Sequence, residues 1–475
     1  MAIDYEKLKR IKEGLPYTLT DEQDDFIHKF ILGEGHWSLI GDGGTGKSLT
    51  MWVLKLYYEE EILFVASTGT ASQEMPNDIG SGTGHSLFNI PRDIEIETDR
   101  RKRPSDILTK TSLIKIIVVE EGYCYNSQDL SFMLRQVAKV NKRSKNREQR
   151  DIRLLLVGDN LQRLPIVSDK NYMEHLFNTY GHYLMFRSTV WEEANFKTYV
   201  FQEVKRQGGT EPKDIWFRKA LYVLRYGLED HYDHIIKGFN KKVVGNNHSK
   251  DAVYLAPTNK KVNLYNEQYL ARNPNEKYTF SVDFDKGYNK EDFPLDWEVD
   301  IAVGCKFINL VNNPEQGVYN GTVLTCTGGI SSEGLFAETK DGEQVFIGIH
   351  EFKQEEVYAG EEDRNGILTQ VQKRRHVASA WHLPIKLCAG FSYARCQGKT
   401  LEGEVVLDFG SDRDTWLYTS KGMEDFMVAG AFVGFSRVTN IDNVKLRNPL
   451  KREHIKVCRD SVDFWWQCVE GMKNL

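Results

Sequence analysis

The sequence predicts an α/β protein built from buried strands alternating with helices. Three observations point there. Short apolar runs recur at residues 36–40, 62–66, 116–119 and 153–157. Segments with helical apolar spacing, such as Leu49, Val53, Leu54 and Tyr57, follow such runs. Glycines, hydroxyl residues and carboxylates stand at the ends of the runs, where open α/β sheets bind ligands.

The first run leads into Gly41-Asp42-Gly43-Gly44-Thr45-Gly46-Lys47-Ser48. This satisfies the phosphate-cradling pattern G-x-x-x-x-G-K-[ST]. It sits between a strand and a helix start, where free N–H groups and the helix dipole favour phosphate. Gly43, Gly44, Thr45 and Gly46 would wrap the anion. Lys47 would pair the β- and γ-phosphates of ATP, and the Ser48 hydroxyl would ligate Mg²⁺. Upstream, Thr20 and Gln23 fit a capping box for a helix whose apolar face is Phe26, Ile27, Phe30 and Ile31. Gln23 could equally read an adenine edge with its amide. The phosphate loop 18 residues on favours the second reading.

Length and composition bound the rest. A chain of 475 residues predicts about two to four domains. Its 40 % hydrophobic and 27 % charged residues are those of an ordinary globular protein. No apolar run approaches the ~20 residues that span a bilayer. Residues 1–15 carry no signal-like apolar stretch, so a cytoplasmic protein of a bacterial or phage-infected cell is expected. Seven scattered cysteines without C-x-x-C spacing argue for free thiols and against a zinc site. The net charge of −6 does not advertise nucleic acid, so any such binding needs a local groove.

The second strand ends in Ser67-Thr68-Gly69-Thr70, a ligand edge or a helix cap. Thr83-Gly84-His85-Ser86-Leu87-Phe88 follows. Residues 89–112 break the α/β rhythm with alternating charge and a basic turn, read as a small β-hairpin insertion or a charged loop. The run at 116–119 ends in Glu120-Glu121. The first carboxylate would hold Mg²⁺ and the second would activate the attacking water. Glu120 stands where Asp is usual. Gly158-Asp159-Asn160-Leu161-Gln162 closes the next strand, and Gln162 is a candidate γ-phosphate sensor or a loop-stabilising amide.

These blocks, with Phe201-Gln202-Glu203-Val204-Lys205-Arg206-Gln207 after them, resemble the RecD/Dda branch of superfamily 1 helicases, and the compact size resembles its phage or viral members. The resemblance covers residues 18–446. It implies two RecA-like motors: residues 1–207 with the 89–112 insertion as a strand-separating pin, and residues 208–450 with an SH3-like β-barrel insertion at 322–382. A helical tail at 451–475 is expected to pack on the second motor. Single-stranded DNA would cross both motors. Arg206 would be an arginine finger, and Arg437, in Gly434-Phe435-Ser436-Arg437, a second one. DNA contacts are carried over to Thr68, Thr70, His85, Ser86, Thr258, Asn259, Asn263, Ser392 and Arg395. Gln397 and Gly398 complete a nucleotide-side turn, and Ala394 stands where the family has His. Phe88 and Tyr393 are candidates for base stacking.

The implied activity is ATP-driven 5′→3′ translocation on single-stranded DNA and unwinding of forked duplex, in replication, recombination or repair. A monomer that meets single-strand-binding or replisome proteins is expected. The alternative is a nucleotide-gated DNA-binding or assembly factor with weak ATPase activity, which Glu120 and Ala394 favour.

Overall fold

The computed structural model describes residues 3–472 except 16, 68–81, 92–93, 95–103, 106–107, 109–112, 144–150, 166, 168, 205–208, 250–251, 289, 291–292, 294, 312, 314–315, 319–321, 365–366, 397–399, 402 and 420–426. The chain divides into two compact units, residues 1–258 with 392–475, and residues 259–391.

The first unit carries a six-stranded sheet. Its strands are β1 (Trp37–Gly41), β2 (Ile62–Ala66), β3 (Gly82–Thr83), β4 (Ile116–Glu120), β5 (Arg153–Gly158) and β6 (Lys197–Phe201). They run in the order β3-β2-β4-β5-β1-β6 with every pairing parallel. β1 and β2 are buried along their whole length. That explains their continuous apolar sequence, since helices cover both faces of such a sheet. One face packs on Phe26, Phe30, Met51 and Leu54, and the other on Phe132, Met133, Phe186 and Trp191. The register sets Ile40 beside Gly158 and Val119 beside Leu156. The residues that follow β1, β4 and β5 therefore leave the sheet along one edge.

The C-terminal helix corrects the sequence reading. It spans Arg459–Gly471 and packs on the first sheet, not the second. Phe464 stacks on Phe186 with ring centroids 4.6 Å apart and meets Trp191 edge-on at 5.6 Å. Asn160 donates from Nδ2 to the Ser461 carbonyl at 2.7 Å. The tail was legible as a packed helix, but which sheet it covers was not.

The same unit holds a second parallel sheet, in which Val405–Leu407 pairs with Val253–Ala256 on one side and Val444–Leu446 on the other. The helix Pro212–Tyr226 lies between the two sheets in sequence. The helix Gly430–Ser436, buried throughout, precedes Val444–Leu446.

The second unit opens with the helix Asn259–Ala271 and is otherwise antiparallel. Two of its strands, Glu298–Ala302 and Lys306–Asn309, are parted by Gly304 at φ +84°. Lys306–Asn309 joins a five-stranded sheet with residues 323–331, 334–338, 344–348 and 385–387. His350–Arg364 and Ile367–His382 pair as a long hairpin, with Glu351 opposite Trp381 and Arg364 opposite Ile367. These sheets occupy the segment where a small barrel is expected. The pin-like insertion at 89–112 falls mostly outside the described residues.

Candidate nucleotide site

The loop after β1 ends at Gly46, the N-cap of the helix Lys47–Tyr58, at φ +82° and with no side chain capping the first turn. The first-turn N–H groups and the positive end of the dipole are thus left for an anion. Only glycine fits here: a Cβ on Gly46 would stand 2.0 Å from Gln23 Nε2. Gln23 is 3 % exposed and does two jobs. Its Oε1 accepts from Thr20 N at 2.9 Å, completing the capping box, and its Nε2 donates to the Thr45 carbonyl at 2.9 Å. Both ends of the amide are engaged within the protein.

Lys47 is folded back on its own loop. Its Nζ donates to the carbonyls of Gly41 at 2.7 Å and Asp42 at 2.9 Å. Burial lowers its pKa below the ordinary lysine value, opposed by Asp159, Glu121, Asp42 and Glu120 in descending order. One ammonium therefore faces carboxylates from the ends of β1, β4 and β5. Ser48 is exposed in the first turn of the helix. Glu120 ends β4, partly buried, and Glu121 turns the chain at φ +50° into the 3-10 turn Gly122–Cys124.

Gln162 is 3 % exposed and donates from Nε2 to Asp159 Oδ2 at 2.6 Å. Asp159 in turn accepts both ends of the Arg225 guanidinium, at 2.7 and 2.9 Å. Burial pushes the Asp159 carboxyl up, but the Arg225 charge and hydrogen bond outweigh it and hold the pKa below the ordinary value. Asp42, 3.4 Å from Arg225 Nη1, is instead raised by burial, with Arg225 opposing. Arg225 was missed in the sequence. The signal was there: Phe217, Leu221 and Arg225 recur every four residues, so an arginine occupies the buried stripe of an amphipathic helix.

The remaining expected residues separate into groups. Tyr125 hangs the block around His85 on β2: its hydroxyl donates to the Ala66 carbonyl at 3.1 Å and accepts the backbone N–H groups of Gly84 and His85. Its ring lies 5.1 Å from that of His85. Phe88 is a correction. It is fully buried in the core against the first sheet, so no face is left for a base. Tyr393 is likewise interior, donating its hydroxyl to the Asp408 carbonyl at 3.1 Å, and Ser392 beside it is buried. Thr258, partly buried, ends the first unit after Val253–Ala256. Asn259 and Asn263 open the helix of the second unit, one turn apart on one face, exposed and partly buried respectively.

Arg437 is not presented to solvent at all. It is fully buried, donating from Nε to the Val433 carbonyl at 2.9 Å and from Nη2 to Ser436 Oγ at 2.7 Å. Arg206, Thr68, Thr70, Gln397 and Gly398 lie outside the described residues, as do the side chains of Ser86 and Arg395. Among the described residues no cluster of three or more His, Cys, Asp or Glu forms a metal site, and no helix is long and apolar enough to cross a membrane.

Residues 18–220 match the PIF1-like helicase family. The resemblance to the RecD/Dda branch of superfamily 1 thus narrows to a PIF1-like one. An ATP-dependent DNA helicase Pif1 of Campylobacter jejuni is 26 % identical over 453 residues, 89 % of this chain and 90 % of the relative. A Pif1 from Bacteroides solved with single-stranded DNA superposes with a TM-score of 0.72 at 17 % identity, over 96 % of this chain and 98 % of that one. The same Bacteroides protein with ADP-AlF3 and single-stranded DNA gives 0.72 at 18 % identity, over 96 % and 98 %. The PIF1-like match takes in the loop at Gly41–Ser48, Glu120, Glu121, Gln162 and Arg206, and stops short of Arg225 and Arg437.

Proposed function

We propose that this protein is an ATP-dependent DNA helicase that moves 5′→3′ on single-stranded DNA and opens forked duplex. The observation that carries it is the convergence of Lys47, Glu120, Glu121 and the Asp159–Gln162 pair at one sheet edge, in a chain similar to Pif1 over most of its length. The two parallel sheets are read as two motors, residues 1–207 and 208–450, with an insertion at 322–382. Polarity and the fork follow the PIF1-like resemblance. A phage setting rests on size alone, whereas the curated relatives are bacterial.

The uncapped turn at Gly46 receives the phosphates of ATP on backbone N–H groups. Lys47 exchanges its bonds to the Gly41 and Asp42 carbonyls for phosphate oxygens, so the apo loop keeps the ammonium satisfied until substrate arrives. The exposed Ser48 hydroxyl and the Glu120 carboxylate supply the oxygen donors that suit Mg²⁺, alongside phosphate and water. Bound there, the ion neutralises phosphate charge. Glu121 accepts a proton from the attacking water, and Gln162 orients that water against the γ-phosphate. Arg206 and Arg437 are assigned the finger roles; Arg437 must leave its bonds to Val433 and Ser436 to reach the site. Thr258, Asn259 and Asn263 are assigned to the DNA backbone, with single-strand-binding or replisome proteins as partners.

The test is steady-state ATP hydrolysis with and without single-stranded oligonucleotides, followed by forks with a 5′ or a 3′ tail. Strong stimulation and unwinding from the 5′ tail are expected, and both vanish in Lys47→Ala. The buried Arg437 favours one second reading, a nucleotide-gated DNA-binding factor. Slow hydrolysis with tight ATP-dependent DNA binding would select it.

A further inference from the structure

We propose that Arg225 positions Gln162 for the nucleotide, acting through Asp159, and that it links this orientation to the helix Gly430–Ser436 and to the C-terminal helix. The proposal rests on the ATPase reading of the site.

The geometry is that of a fork on a fork. Arg225 Nη1 and Nη2 meet Asp159 Oδ2 and Oδ1 at 2.7 and 2.9 Å, which fixes the plane of the carboxylate as a lysine could not. The same Oδ2 accepts from Gln162 Nε2 at 2.6 Å, and Oδ1 accepts from Leu161 N at 3.0 Å. An ionised carboxylate only accepts. Gln162 must therefore turn its NH2 group toward Asp159, and its carbonyl oxygen and second N–H are what the site receives. A protonated or rotated Asp159 would allow the amide to flip. Arg225 removes that freedom by keeping the carboxylate charged and in plane.

The far side of the guanidinium is built for a different purpose. Its carbon lies 4.6 Å from the Trp465 ring and 5.2 Å from the Phe432 ring. Nη1 is also 3.4 Å from Asp42 Oδ1, which holds the Gly43 N–H at 2.5 Å. One side chain, 3 % exposed, thus touches the phosphate loop, the sensor loop and two helices that lie more than 200 residues further along the chain. A shift of Gly430–Ser436 would reach Gln162 through a single contact.

A buried ion pair that merely fills space is the plain alternative, and losing one partner of such a pair can unfold a protein. The test therefore uses two substitutions that leave no bare buried anion: Arg225→Lys, which keeps the charge without the fork, and Asp159→Asn, which keeps the shape without the charge. Each is made alone and in a Gln162→Ala background, with DNA-stimulated hydrolysis and thermal unfolding measured in parallel. Both single variants are expected to lose about 10- to 100-fold in kcat, with the KM for ATP changed less than about threefold, the signature of an interaction made in the transition state. In the Gln162→Ala background neither should cost a further factor. Parental kcat in either folded single variant overturns the proposal, as do losses that multiply with that of Gln162→Ala. If Arg225→Lys does not fold, Asp159→Asn decides alone. A parental protein that hydrolyses no ATP with or without DNA removes the ATPase reading itself, and the proposal with it.

Discussion

The side-chain amide of Gln23 donates to the carbonyl of Thr45 across 2.9 Å while its oxygen caps its own helix. The phosphate loop is therefore braced from outside, by a residue that sequence logic offered as an adenine reader. Gln23→Ala removes both bonds and strands the Thr45 carbonyl. A loss of about 1–3 kcal/mol in stability is expected, with weaker binding of a fluorescent ADP. If adenine reading were the main role, the variant would lose discrimination against GTP at nearly unchanged stability, so chemical denaturation and an ATP/GTP comparison separate the two.

Gly46 tests the same brace from the other side. Gly46→Ala places a methyl group in the space of Gln23 Nε2 and forces a left-handed φ on alanine. The backbone term alone is about 1–2 kcal/mol, and the clash adds to it by displacing Gln23 or the loop. Nucleotide binding should fall below detection in a calorimetric titration while the far-ultraviolet circular dichroism keeps its parental shape.

Phe464 belongs to a core most of whose members, from Ile40 to Tyr226, precede it by more than 200 residues. Phe464→Ala should cost about 3–5 kcal/mol in denaturant unfolding, as for other large buried aromatics. A variant within 1 kcal/mol of the parent, an order-of-magnitude bound set by ordinary surface changes, would mean that the stacking on Phe186 does not hold in solution.

Asp129 carries a pH dependence. It is buried at the start of the helix Ser127–Arg143, and burial lifts its pKa to about 7 despite the bond from Asn126 N. The folded state then binds the proton more tightly than the unfolded one. Its contribution is full below the unfolded value near 4 and is lost as pH rises to about 7. The parental protein should lose on the order of a few kcal/mol across that window. Asp129→Asn, which still accepts from Asn126 N, should flatten the loss and be the more stable form at pH 8. Equal pH profiles in urea unfolding would rule this out.

Much of the nucleotide side was legible because its chemistry is local in sequence. A glycine loop between strand and helix, a carboxylate pair at a strand end and an amide after the next strand each announce themselves within ten residues. The parallel strands were legible too, since burial on both faces leaves an unbroken apolar run. What escaped depends on distance. The first sheet's edge strand Lys197–Phe201 opens with partly buried residues, and Lys197 and Thr198 hide it. The hairpin of 350–382 is charged along its length, and charge reads as loop. Phe88 was offered to DNA as an aromatic that could stack on a base, whereas residues 84–88 form a helix and Phe88 is buried in the core. Arg225 and Phe464 gain their meaning from partners that no window contains.

The seating of Arg459–Gly471 against β6 and its neighbours also constrains how the protein is made. Phe186, Trp191 and Tyr123 are synthesised early, yet their aromatic layer is completed only by Phe464 and Trp465. A first sheet that could otherwise be covered as it leaves the ribosome must wait, with an open apolar face, until residues 459–471 have been translated. Synthesis interrupted between residues 48 and 459 would release a chain that has its phosphate loop but cannot close the core behind it.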